Sequence, residues 1–190
     1  MQRRLFALVS AILVLAVALS ALALTNVYFP RGESGTVAVS DLGNLSIVPS
    51  DISISGNTIY INSSITVPVE MGIMMPNISM YSFMIWGHVN PKLVIQPHLH
   101  IDFMEINVDN DSYHNFAITG TPPPYPYMAM STMMNGGGFL MDEPMLPPQS
   151  GGIMHYSVET FTSNAQGTFW YICTYPGHAE NGMYGEIQIA

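Results

Sequence analysis

Four side chains that could hold a metal combine two imidazoles, one thiol and one thioether. Cys173, His178 and Met183 follow each other with four residues between neighbours, and His114 lies upstream. Sulfur ligands stabilise Cu(I) and imidazoles also accept Cu(II), so the set suits a copper ion that changes oxidation state. In a type 1 copper site two His and one Cys form a trigonal plane, and a Met binds weakly on the axis. The four residues therefore predict one type 1 copper ion.

The residues around these ligands favour this chemistry but leave alternatives open. A Pro-Gly pair directly before His178 predicts a turn that returns it towards Cys173, and a Gly before Met183 permits an axial approach. A lone Cys can also be a small buried hydrophobe, and a lone His a surface or hydrogen-bonded core residue. Four other His residues are available as the upstream ligand. His114 is favoured because it stands at the start of a predicted strand and is followed by Asn115.

Beyond about residue 45 the chain consists of short β-rich runs separated by turn residues. The runs expected to form strands are residues 58–61, 64–69, 79–86, 92–96, 101–108, 115–119, 153–161, 167–173 and 184–189. Their spacing is typical of an all-β sandwich, and no long stretch has helical periodicity. Residues 120–152 are rich in Pro, Gly and Met and predict a long excursion between strands.

The N-terminus predicts a targeting or anchoring segment. Residues 1–4 are basic, and residues 5–24 form an uncharged apolar run long enough to span a bilayer as a helix. A cleaved signal peptide and a retained anchor are both consistent with this pattern, and the length of the run favours the anchor. Either one places the rest of the chain outside the cytoplasm. The predicted division is a signal peptide or membrane anchor over 1–24, a linker or first strand over 25–45, and one domain over 46–190.

The chain carries unusually few charges. Only 9% of its residues are charged, and the net charge of −9 reflects a scarcity of bases, since Lys and Arg number 4 together. Such a chain cannot clamp a phosphate backbone, which excludes nucleic acid as a partner. Its polarity comes from neutral side chains and persists when carboxylates protonate, which suggests an acidic external medium. The single Cys forms no intrachain disulfide, and outside the cell it would be open to oxidation unless occupied.

The segments that carry the ligands resemble the cupredoxins, the family of blue copper proteins. Residues 171–187 resemble the C-terminal ligand loop of the family, and residues 114–125 resemble the segment around its first His ligand. The likeness covers roughly residues 50–190 and is most specific after His114. It implies a Greek-key β-sandwich with one copper ion, a high reduction potential, acid stability and electron transfer in a respiratory chain.

Asn115 departs from the high-potential cupredoxins that the chain resembles best, which have Ser at this position. In the family this residue forms hydrogen bonds near the Cys sulfur, and such bonds tune the potential of the metal. We therefore expect a potential below that of those relatives.

The main functional hypothesis is an electron carrier, not an enzyme. Its partners would be a cytochrome, a terminal oxidase or another copper protein, with the membrane contacted through the N-terminal segment and the protein monomeric. A multicopper enzyme is disfavoured because no His flanks Cys173, and a dinuclear copper-thiolate site would need a second Cys. A copper chaperone or store remains the alternative, supported by the Met-rich stretch of residues 128–145. By the family resemblance this stretch lies near the copper end and offers an apolar docking surface.

Overall fold

The computed structural model describes residues 32–43, 45–73, 75–134 and 138–190. The predicted N-terminal apolar helix of residues 1–24 lies outside these ranges. Within them, no helix is long and apolar enough to cross a membrane.

The described residues form strands almost throughout. The strands are β1 (Ser34–Ala38), β2 (Ser53–Ser55), β3 (Thr58–Ile61), β4 (Ile65–Met71), β5 (Phe83–Ile85), β6 (His88–Val89), β7 (Lys92–Ile95), β8 (His100–Asn107), β9 (Ala117–Thr119), β10 (Phe139–Asp142), β11 (Ile153–Thr162), β12 (Gly167–Ile172) and β13 (Tyr184–Ile189). A 3-10 turn (Val39–Asp41) and one short helix, α1 (Ala129–Met134), are the helical elements of this part of the chain.

Two mixed sheets build the molecule. One has the order β1-β11-β8-β4-β5-β6 and the other β10-β9-β12-β13-β7-β3-β2. The pairs β4–β8, β3–β7 and β7–β13 are parallel, whereas the remaining pairs are antiparallel. Alternate residues of β13 are buried, as expected for a strand with one face on the core. The prediction of an all-β two-sheet fold is confirmed.

The core between the sheets is built around four packed aromatic rings, those of Phe83, Phe103, Phe116 and Tyr171, all fully buried. The Tyr171 hydroxyl donates to the Pro91 carbonyl over 2.6 Å, which satisfies its only buried polar group. Its ring lies directly over Gly185 on the neighbouring strand, where a Cβ would collide with it. This cluster stands beside the start of β9 and the end of β12, so it fixes the strand ends that carry the candidate ligands.

Two local features differ from the sequence expectations, and a third decides between two alternatives that the sequence left open. Residues 79–86 form a strand only over Phe83–Ile85. The excursion contains α1, whose six residues are too few to show a helical period in the sequence. The stretch expected as a linker or first strand includes β1, which pairs with β11 over five residues from Ser34 to Ala38.

Candidate metal centre

The ligand loop connects two adjacent strands of the second sheet. Cys173 follows the last residue of β12, and Met183 precedes the first residue of β13. The Cys173 N–H donates to the Met183 carbonyl over 3.1 Å, and the Met183 N–H donates to the His178 carbonyl over 3.0 Å. These bonds extend the antiparallel ladder into the loop. The backbone positions of three candidate ligands are therefore fixed relative to one another.

The turn before His178 needs a residue without a side chain. Gly177 has a φ of +81°, which L-residues rarely adopt, and its N–H donates to the Tyr127 carbonyl over 2.7 Å. Gly182 has a φ of +104° directly before Met183. The two positions confirm the turn that the sequence predicted. The bond to Tyr127 also shows that the long excursion packs against this loop.

His114 reaches the site from the other side. Its N–H and carbonyl both pair with Leu146, at 3.3 and 2.8 Å, in an isolated β-bridge just before β9. The side chains of His114, Cys173 and Met183 are fully buried, and that of His178 is 4% exposed. His178 thus forms the outermost part of the site.

Three donor atoms converge in a small triangle. The Cys173 Sγ lies 3.9 Å from the His114 Nδ1 and 3.5 Å from the His178 Nδ1, and the two nitrogens are 3.2 Å apart. The point equidistant from these atoms lies about 2.1 Å from each, within the range of metal–nitrogen and metal–sulfur bonds. Among the described residues, these three form the one group of His, Cys and acidic side chains close enough to share a metal ion. The four other His residues do not join it.

The tautomer of His114 follows from its second ring nitrogen. The Nε2 atom lies 3.0 Å from the Asp109 Oδ2, and a carboxylate accepts a hydrogen bond, so Nε2 carries the proton. The Nδ1 lone pair then faces Cys173 and His178. Burial lowers the pKa of His114, against the opposing effect of Asp109, and thereby favours the neutral ring that a metal needs.

Burial favours the uncharged forms of the Cys173 thiol and of both imidazoles. Burial raises the pKa of Cys173 to about 12, although the N–H groups of Asn115 and Tyr175 act in the opposite direction. Burial and the neighbouring His114 lower the pKa of His178 to about 4. A thiol with such a pKa is a poor nucleophile without a neighbouring cation. The chemistry that suits this pocket is therefore binding of a soft metal cation, which releases the thiol proton.

The Asn115 side chain links the segment that carries His114 to the segment that carries Cys173. Its side-chain oxygen accepts from the Thr174 N–H over 2.8 Å and from the Thr174 hydroxyl over 3.1 Å. Its amide group donates to the Glu143 carbonyl over 3.1 Å. The backbone N–H of Asn115 is also one of the groups that favour a charged Cys173 sulfur. The residue singled out from the sequence thus acts beside the Cys sulfur.

Two polar residues that position the site were not found by sequence reasoning. Asp109 holds His114, and Asn90 donates from its side chain to the Gly182 carbonyl over 3.1 Å while accepting from the Phe83 N–H over 2.8 Å. Asn90 therefore links the β5–β6 hairpin to the residue before Met183. The short separation of Asp109 and His114 in the sequence, with four residues between them, could have indicated the contact of their side chains. No local signal exists for the second, which joins residues 92 positions apart.

Half-buried and exposed aromatic and apolar side chains lie around His178. Tyr81 meets its ring edge-on at 5.2 Å, and Tyr175 lies 4.7 Å away and stacks on Tyr113. Tyr127 and Met128, which are 61% and 50% exposed, belong to the segment that binds Gly177. The outermost candidate ligand thus lies beneath an apolar surface.

The two-sheet fold with a buried His-Cys-His triangle between strand ends defines the class of the protein as a cupredoxin. No protein-family model matches the chain. Rusticyanin from Acidithiobacillus ferrooxidans is 32% identical over 72% of this chain and 69% of its own length, and rusticyanin from Acidithiobacillus ferridurans is 33% identical over 70% and 68%. A solved structure of reduced rusticyanin superposes with a TM-score of 0.70 at 25% identity and covers 83% of this chain and all of its own. The chain belongs to the rusticyanin family, and the cofactor that its site fits is one type 1 copper ion.

Proposed function

We propose that the protein carries single electrons in an extracytoplasmic respiratory chain of an acidophile, with copper held by His114, Cys173, His178 and Met183. The observation that carries this proposal is the convergence of three donor atoms in a buried triangle, with both imidazoles in their metal-binding tautomer or able to adopt it. Met183 supports the axial role because its backbone is hydrogen-bonded to both Cys173 and His178.

Electron transfer needs a site that changes little between two oxidation states. The copper ion would supply the one-electron change, and the protein's task is to keep its ligands in place. The backbone bonds among Cys173, His178 and Met183 and the side-chain bonds of Asn115 do so independently of any metal. Sulfur and nitrogen donors suit both copper states, so the same arrangement serves each.

Burial of the ligands argues against the alternative of a copper chaperone or store. Such a protein passes its metal to a partner through accessible ligands, whereas His114, Cys173 and Met183 are fully buried. The same burial argues against an enzyme, because a substrate would need an open position at the metal.

The surface over His178 is the proposed route for the electron. Tyr127 and Met128 are exposed beside the ligand loop and offer apolar contacts to a redox partner such as a cytochrome, a terminal oxidase or another copper protein. A contact of this kind does not depend on charges that acid would remove. It suits a transient complex of a monomeric carrier.

The scarcity of charged residues and the apolar N-terminal run support the proposed location. We propose residues 1–24 as a signal peptide or membrane anchor. We propose the copper domain, which includes β1 as well as residues 46–190, on the outer side of the membrane. The rusticyanin relatives come from Acidithiobacillus species, which supports an acidic setting.

Repeated redox titration of the copper-loaded protein in the presence of a Cu(I) chelator tests the carrier role. We expect a reversible one-electron change at acid pH with copper retained through successive cycles, because the ligands are preformed and buried. Transfer of copper to the chelator on the first reduction would instead support a chaperone or store.

A further inference from the structure

We propose that Asp109 is a positioning residue that fixes His114 in its metal-binding tautomer and lowers the reduction potential of the centre. This inference rests on the proposed function and adds to it a residue outside the four ligands.

Asp109 and His114 form a fully buried pair. Neither residue is exposed, and the Asp109 Oδ2 lies 3.0 Å from the His114 Nε2. The other carboxylate oxygen, Oδ1, accepts from the N–H groups of Asp111 and Ser112 over 2.9 and 3.3 Å. Both oxygens of Asp109 are therefore engaged, one by a turn and one by the candidate ligand.

The loop that carries Asp109 is itself anchored. The side-chain oxygen of Asn107 accepts from the Asp109 N–H over 3.0 Å. Its amide group lies 2.9 to 3.0 Å from the carbonyls of Ser112, Leu146 and Pro147. Since Leu146 also pairs with the backbone of His114, one asparagine holds both ends of the Asp109–His114 contact. Rotation of the Asp109 side chain would break the bonds of both carboxylate oxygens. Movement of its backbone would break the bond to Asn107.

Gly72 forms the opposite wall of the pair. Its φ is +74°, and a Cβ at this position would collide with the His114 Nε2 and lie 2.7 Å from the Asp109 Cβ. The backbone after β4 therefore approaches the pair as closely as a residue without a side chain allows. The imidazole is confined between the carboxylate and this backbone, which restricts its rotation.

The expected consequence for the metal has a definite sign. A carboxylate on the distal nitrogen makes an imidazole ligand more basic and orients its ring. A basic ligand and a nearby negative charge both stabilise the more positive oxidation state, Cu(II). Asp109 therefore lowers the reduction potential, in the same direction as the effect expected of Asn115.

The test is the reduction potential of Asp109→Asn. Asn keeps the shape of the side chain and an acceptor for the turn but removes the charge. We expect the variant to remain blue and its equilibrium with a one-electron mediator to shift about tenfold towards Cu(I), which corresponds to about 59 mV. Asp41→Asn is the matched control, because it removes the same charge from an exposed residue of the 3-10 turn.

The outcomes separate this inference from the function on which it rests. A blue Asp109→Asn protein whose potential moves no more than that of Asp41→Asn overturns the role of Asp109 and leaves the copper site standing. A wild-type protein that forms no blue complex overturns both.

A second measurement needs no variant and tests the tautomer of His114 if Asp109→Asn does not fold. In the reduced wild-type protein, where Cu(I) is diamagnetic, NMR should detect a proton on the His114 Nε2 that exchanges slowly with solvent. Metal binding through Nε2, or a rapidly exchanging proton there, contradicts the inference.

Discussion

Two buried polar regions lie side by side in this molecule and differ in their hydrogen bonding: one has partners for its polar side chains and the other does not. Around the metal centre, Asp109 and Asn115 use their side-chain oxygens and nitrogens in hydrogen bonds. A few residues away, Glu105 is fully buried, and neither of its carboxyl oxygens has a hydrogen-bond partner. The hydrogen bonds of the metal centre can stabilise a charged, fixed carboxylate at Asp109. The Glu105 carboxyl, which lacks such bonds, is stable in the folded protein only when it is neutral.

Glu105 belongs to what we name the carboxyl cluster, which consists of Glu105, Asp142, Glu143 and Glu159. Burial raises the pKa of Glu105 well above its ordinary value, and Glu143, Glu159 and Asp142 raise it further. The backbone N–H of Phe116 has the opposite and smallest effect on this pKa. Burial and then Glu159 raise the pKa of Glu143 to about 7, although the Ser157 hydroxyl donates to it over 3.2 Å.

The carboxyl cluster makes the folded protein more stable at acid pH than at neutral pH. A carboxyl with a raised pKa in the folded state contributes stability below its unfolded pKa of about 4.3, and this contribution is lost as pH rises through the folded pKa. For Glu143 the loss falls between about pH 4.3 and 7, and the raised pKa of Glu105 adds a loss in the same direction. The metal centre, in contrast, has its buried carboxylate stabilised by partners. Hydrogen bonds from His114 and Asp111 outweigh the effect of burial and lower the pKa of Asp109.

The largest expected effect comes from removing the Cys173 sulfur from the metal centre. Cys173→Ser replaces the thiolate by a hydroxyl of similar size, so the fold should persist while the thiolate-to-copper absorption disappears. Visible spectra of the copper-loaded variant and wild type measure this. Retention of an intense blue band in the variant would rule out Cys173 as a ligand.

The second largest effect is expected in the carboxyl cluster. Glu105→Gln mimics the protonated carboxyl, so we expect little change in the free energy of unfolding at pH 4. At pH 7 we expect the variant to be more stable than wild type, because Gln has no proton to lose in the unfolded state. Thermal or urea unfolding at both pH values measures it. Glu180→Gln, at an exposed position, is the control. If the free energy of unfolding depends on pH equally in wild type and Glu105→Gln, Glu105 does not contribute to acid stability.

A smaller effect is expected at the axis of the metal centre. Met183→Leu keeps an apolar side chain of similar volume in a fully buried position but removes the thioether. The blue colour should remain, because it arises from the trigonal plane, and the potential should rise. Redox titration measures the change, and complete loss of copper from this variant would contradict a weak axial role.

The smallest expected effect is at the residue that links the two regions. Asn115→Ser removes the contacts to Thr174 and to the Glu143 carbonyl, so we expect a blue protein with a raised potential and a modest loss of stability of about 1–2 kcal/mol. Paired redox and unfolding measurements check both values. An unchanged or lowered potential would contradict the tuning role that the family resemblance implies.

The two regions also differ in how far they could be predicted from the sequence. The ligand loop is local, because Cys173, His178 and Met183 lie within eleven residues and the turn residues between them dictate its path. The strands were predictable for the same reason, as shown by Thr58–Ile61 and Tyr184–Ile189, which have the expected bounds.

The contacts that tune each region are not local. Glu105 stands in a run where polar and apolar residues occupy both faces of β8, so alternation could not show that its carboxyl is buried. The outer face of β8 is covered by Val37 and by Leu42 and Leu45, which the sequence suggested only as a linker or first strand. The contact of Asn90 with Gly182 likewise depends on the pairing of distant strands.

The visible spectrum of the wild-type protein loaded with Cu(II) tests the central claim most directly. A trigonal site of His114, Cys173 and His178 predicts one bound copper ion and an intense blue charge-transfer band from the Cys173 thiolate. A pale complex of the kind formed by nitrogen and oxygen ligands, or no binding, would contradict the assignment of these residues as a type 1 copper site.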